Sequence, residues 1–143
     1  MKSRSTTVVV DTNVFSADLL RTTHHLVELY QPLLAARRFL ISFQTLAEIS
    51  FGARRRGWGP VRMSRLAEQL ARAEVVWPGP SLLEVYVDLR VGCERVGHAL
   101  GQPDHDSDRW IAATAIHLAV PLVSHDGIFR DVPGLVFETA LPA

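Results

Sequence analysis

Residues 8–15 read Val8-Val9-Val10-Asp11-Thr12-Asn13-Val14-Phe15. Three β-branched apolar residues in a row have no polar face, so they predict a short strand buried on both sides rather than an alternating surface strand. The run stops at Asp11, and Thr12 and Asn13 suit the start of a helix. Similar runs recur at Phe39-Leu40-Ile41-Ser42, Val75-Val76-Trp77, Pro121-Leu122-Val123-Ser124 and Leu135-Val136-Phe137. Pro78-Gly79-Pro80 closes the third, and Pro133-Gly134 precedes the fifth. Helical patterns fill the intervals. Leu82, Tyr86, Leu89, Cys93, Val96 and Leu100 step by four and three along one apolar seam, and Ile111, Ala112, Ala115 and Leu118 form a second face.

Short buried strands alternating with helices predict an α/β fold: a central, mainly parallel sheet of about five short strands flanked by helices in three layers. The 143 residues suit one domain over 1–143, with no repeat or linker. A 48% hydrophobic and 21% charged composition excludes a disordered chain. Cys93, the only cysteine, rules out an internal disulfide, and its place on the seam reads as core. No transmembrane run, signal peptide or lipid anchor is read, so a cytoplasmic protein with no membrane partner is expected.

Net charge is zero but unevenly spread. Residues 37–72 hold eight arginines against Glu48 and Glu68, while residues 104–138 hold six acids against Arg109 and Arg130. All basic residues but Lys2 are arginine. A GC-rich genome explains the total but not the clustering, and arginine matches phosphate bidentately.

Ligand chemistry in parallel sheets gathers at the carboxyl ends of the strands. Asp11 directly follows the first strand, and Asp126 follows the fourth in Pro121-Leu122-Val123-Ser124-His125-Asp126. Glu48 lies about one turn into the helix after the second strand. Asp108 opens the helix before the fourth, on the stripe that carries Ile111, Ala112 and Ala115. Each acid has a plainer use. Asp11 can cap a helix, Glu48 can complete a capping box with Thr45, Asp108 suits a helix dipole, and Asp126 before Gly127 suits a turn. Together on one sheet edge they repel one another unless cations fill the gap. An all-oxygen set suits Mg²⁺ or Mn²⁺, and paired ions of that kind serve phosphodiester cleavage.

These stretches resemble the PIN-domain ribonucleases, and among them the toxins of bacterial VapBC toxin–antitoxin systems. Asp11 in VVVDTNVF, Glu48 in QTLAEISFGA, Asp108 in DRWIAATAI and Asp126 in PLVSHDGIF look like the family's four acidic positions, in order, over about residues 7–138. Asp106 competes for the third position, but the motif register and helical phase favour Asp108. The resemblance implies a metal-dependent endoribonuclease, the toxin of a type II toxin–antitoxin system, acting on RNA as a homodimer. It also implies inhibition by a small VapB-type antitoxin. The four carboxylates would hold the Mg²⁺ or Mn²⁺, with Asp11 central. Thr12 or Asn13 would orient a ligand or water, and Ser124 would buttress Asp126.

The arginine cluster then has a candidate role. Arg54, Arg55 and Arg56 can hold RNA backbone with Trp58 stacking a base, or they form a solvated helix end beside a packed tryptophan. Arg109 either touches substrate or pairs with a neighbouring acid. The six histidines show no metal-binding spacing, and no glycine-rich phosphate loop occurs. A haloacid-dehalogenase-type phosphatase would need a second aspartate where Asn13 stands and a mid-chain lysine. A receiver-like binding domain lacks its phosphoacceptor after the third strand. A catalytically inactive PIN-like partner-binding domain is the remaining alternative, and the presence of all four acids argues against it.

Overall fold

The computed structural model describes residues 4–143. The strands are β1 (Thr7–Val10), β2 (Arg38–Ser42), β3 (Ala73–Val76), β4 (Leu122–Val123) and β5 (Phe137–Glu138). The helices are α1 (Thr12–Phe15), α2 (Leu26–Leu34), α3 (Phe43–Arg55), α4 (Pro60–Leu70), α5 (Pro80–Val96) and α6 (Asp106–Leu118). All strand pairs are parallel, in the order β3-β2-β1-β4-β5. Strand order therefore reverses between β1 and β4, which opens a crevice beyond their carboxyl ends.

Alternation along the central strands builds two cores. Val9, Leu40 and Leu122 face α5 and α6, with Leu89, Cys93, Ile111 and Ala115 around them. Val8, Val10, Ile41 and Val123 face the other way, against a core that takes in Val14, Tyr30, Ile49 and Leu66 of α1 to α4. The three layers expected from the strand–helix alternation are present. Among the described residues no helix is long and apolar enough to cross a membrane.

Several boundaries differ from the sequence expectation. β3 is an edge strand that ends before Trp77, which is 65% exposed. β5 begins at Phe137 rather than Leu135, because Leu135 donates its N–H to Val132 O in the preceding turn and enters no strand ladder. The seam of α5 is broken at its end. Gly97 adopts the left-handed conformation (φ 71°) that stops the helix, so Val96 is exposed while Leu100 is buried in the following 3-10 turn. The second helical face closes before Leu118, which is partly exposed.

Candidate active site

The crevice beyond β1 and β4 is built around Asp11, which is buried. Both of its carboxylate oxygens are held: Thr12 N–H donates to Oδ1 at 2.7 Å and the Ser124 hydroxyl donates to Oδ2 at 2.6 Å. The first bond makes Asp11 the N-cap of α1, so the capping role and the edge position coexist. Ser124 is wholly buried and also accepts the Asp126 N–H at 3.1 Å. It therefore buttresses Asp11 with its side chain and the loop of Asp126 with the same oxygen, a tie the sequence expectation assigned to Asp126 alone.

Glu48 lies in the second turn of α3 and is half-buried. The proposed capping box with Thr45 does not form. Ser42 caps α3 by accepting the Gln44 N–H, which leaves the Thr45 hydroxyl 3.0 Å from that of Thr12. Asp108 is the third residue of α6, with its side chain 29% exposed and Oδ2 3.2 Å from His105 Nδ1. Asp106 points elsewhere, accepting the Tyr86 hydroxyl and facing Arg109, as the helical phase requires. Asp126 is exposed and accepts the Ile128 N–H at 3.0 Å, capping a short 3-10 turn.

Like charge links these acids. Burial, opposed by the Ser124 and Thr12 hydrogen bonds and reinforced by the charges of Glu48 and Asp108, pushes the Asp11 carboxyl up to about 7. Glu48 is raised by burial and by Asp108, against hydrogen bonds from Thr12 and Gln44. Asp108 is raised by burial and by Asp126, against His105. The charges of Glu48 and Asp108 thus act on Asp11, that of Asp108 acts on Glu48, and that of Asp126 acts on Asp108. Among the described residues, no group of three or more His, Cys, Asp or Glu side chains is arranged so that it could hold a metal ion. Asp11 is the most deeply buried of the four, with both oxygens held, whereas Glu48 and Asp108 are half-buried and Asp126 is exposed.

Two groups near this edge were not legible as neighbours. His105 sits beside Asp108, and the buried Tyr30 hydroxyl lies 2.7 Å from His125 Nδ1 while accepting the Ala140 N–H at 3.2 Å. The His125 N–H in turn donates to Asn13 Oδ1 at 3.4 Å, which gives Asn13 a role in holding the loop after β4. A family model for the PIN domain matches residues 8–135. The chain belongs to the PIN-domain family. No curated protein matches the chain significantly.

Solved structures place this PIN domain among similar folds. VapBC2 from Rickettsia felis, bound to a promoter DNA fragment, is 23% identical with a TM-score of 0.76, covering 93% of this chain and 98% of that one. VapBC-1 from nontypeable Haemophilus influenzae is also 23% identical, with a TM-score of 0.70 over 94% and 98% of the two chains. VapBC-5 from Mycobacterium tuberculosis, a toxin–antitoxin system, is 26% identical, with a TM-score of 0.69 over 94% and 97%.

Two expected substrate contacts are corrected. Arg109 is 1% exposed and donates to the carbonyls of Leu100 and Gln102, with its guanidinium over the Tyr86 ring and near Asp106. It clasps the loop before α6 and has no surface to offer RNA; its pairing with a neighbouring acid is the alternative realised. Trp58 is half-buried against the second core, with Nε1 buried and Arg62 over its ring at 5.7 Å, so its face is not open to a base. Arg54, Arg55 and Arg56 are exposed at the end of α3.

Proposed function

We propose that this PIN domain is a VapC-type toxin: a metal-dependent endoribonuclease of a type II toxin–antitoxin system, with RNA as substrate. The observation that carries the reading is the buried Asp11 carboxyl, set at the switch point of the sheet and opposed by Glu48 and Asp108. Such an arrangement is costly unless a cation relieves it, and an all-oxygen donor set suits Mg²⁺ or Mn²⁺ rather than zinc. In this reading Asp11, Glu48, Asp108 and Asp126 hold the metal, with Asp11 as the central ligand.

The ions would supply charge neutralisation at the scissile phosphate and would acidify the attacking water. Everything else falls to the chain. Ser124 and Thr12 fix the two oxygens of Asp11, so the central ligand loses little freedom on binding. Glu48, Asp108 and Asp126 would complete the donor set, directly or through water. Asn13 and the Tyr30–His125 pair hold the loop that carries Asp126.

The family likeness to VapBC complexes supports a small VapB-type antitoxin as partner, and we include a homodimer and a cytoplasmic site of action in the same reading. The direct test is RNA cleavage by the purified chain. Mg²⁺ or Mn²⁺ should support cutting, chelation should stop it, and Asp11→Asn should reduce it at least about a hundredfold, in line with the loss of a group acting on transition-state charge. Undiminished cutting by Asp11→Asn removes Asp11 from the mechanism. A folded wild-type chain that cuts nothing favours the partner-binding alternative.

A further inference from the structure

A cleft of about 790 Å³ lies between the segment after α1 and the helices α3 and α4, and none of its lining residues is a candidate metal ligand. Four arginines line it, Arg21, Arg56, Arg62 and Arg65, together with His24 and a single acid, Asp18. Asp18 is already committed: its carboxylate faces Arg65 at 3.8 Å and His24 at 3.5 Å, and its carbonyl accepts from Arg65 at 3.1 Å. Arg21, Arg56 and Arg62 have no carboxylate partner among the described residues, and all three are exposed.

The sequence places these groups far apart, and the fold gathers them. Gly52 permits one part of the arrangement, because a Cβ there would lie 2.7 Å from Arg56 Nη1; the bare backbone lets the guanidinium lie back along α3. Arg62 rests over the Trp58 ring, which the second core holds in place. Pre-positioned guanidinium groups lose less entropy when they meet an anion than free side chains do.

We propose that this cleft docks the phosphodiester backbone of RNA flanking the cut, an inference that rests on the nuclease reading above. Glu48 and Arg56 are eight residues apart on and just past one helix, about 12 Å along its axis. A few nucleotides cover that distance. The carboxylates at the other end of α3 repel phosphate, so a polyanion entering the crevice needs a cationic guide beside it. Leu19 and Leu20 are the only apolar side chains in the lining, which gives an amphipathic protein segment few anchors. With the Trp58 face covered, no aromatic ring reads a base. The cleft contributes affinity without sequence preference.

The test is binding of a fluorescently labelled single-stranded RNA to the full chain in chelator, where cleavage plays no part. Compared with wild type, Arg21→Gln/Arg56→Gln/Arg62→Gln should weaken binding at least about tenfold near physiological salt. It should also lower the slope of log affinity against log salt by about two, three contacts at roughly 0.7 each. A control of equal charge change, Arg72→Gln/Arg90→Gln/Arg95→Gln, should lose clearly less. Equal losses in the two triple variants, or an unchanged slope in the first, overturn the proposal. So does a cleft variant that binds RNA normally but loses binding to a poly-glutamate peptide, which assigns the cleft to an acidic protein partner. A folded wild-type chain that cuts no RNA but binds it through the cleft sinks the nuclease reading alone, whereas unaltered RNA binding by the cleft variant with Asp11-dependent cutting sinks this proposal alone.

Discussion

The two ends of α3, about 20 Å apart, hold charge in opposite ways. At its first turns, Ser42 and Thr45 are buried and Glu48 shares a partly desolvated crevice with Asp11 and Asp108. At its last turn, Arg54 and Arg55 stand in solvent, where they also complement the negative end of the helix dipole. Charge at the first end is strongly coupled to protonation, because burial penalises the ionised form. Charge at the second is exposed and screened by salt. The difference separates a place built to concentrate a cation from one suited to meeting a polyanion in passing.

The largest expected effect probes the buried end. Ser124→Ala removes the hydroxyl that holds Asp11 Oδ2 and leaves the Asp126 N–H without its acceptor. Divalent-ion affinity, measured by titration, should fall about 10- to 100-fold. Since the Ser124 bond lowers the Asp11 pKa, the activity of the variant should also need a higher pH than wild type. An unchanged ion affinity would detach Ser124 from the site and erase much of the contrast between the helix ends.

A smaller effect concerns stability without metal. The Asp11 carboxyl rises to about 7 on folding, so the native state retains a proton that the unfolded chain gives up near its ordinary value of 3.8. Stability linked to this group is therefore full below about pH 4 and is lost as pH climbs through about 7. Chelated wild type should lose a few kcal/mol more than Asp11→Asn between pH 4.5 and pH 7.5 in denaturant titrations, and added Mn²⁺ should restore most of it at the upper pH (both pH values approximate settings). Parallel pH dependence in the two proteins would mean that burial of Asp11 does not couple the acid end to protonation.

The acid end was legible in the sequence because its logic is local. Asp11 terminates an apolar β-branched run, Glu48 and Asp108 sit in first or second helical turns, and parallel topology carries all of them to one edge. The arginine cleft was not legible. Arg21 and Arg62 are 41 residues apart, and only the packing of α4 against the segment after α1 brings them together. Arg109 misled for a related reason. An arginine beside a candidate ligand reads as a surface cation, but three residues of loop geometry supply it with buried carbonyls, and that satisfaction is a tertiary property. Likewise the Tyr30–His125 contact spans 95 residues, and no periodicity reports it. Strand ends were blurred where turns compete with the ladder, as at Leu135 and Trp77.

Calorimetric titration of Mn²⁺ into the chelator-stripped chain asks the decisive question about the crevice. Saturable binding that tightens between about pH 6 and pH 8, releases protons from Asp11, and disappears in Asp11→Asn is the predicted result. No saturable binding at millimolar ion, or equal affinity in Asp11→Asn, would contradict the account.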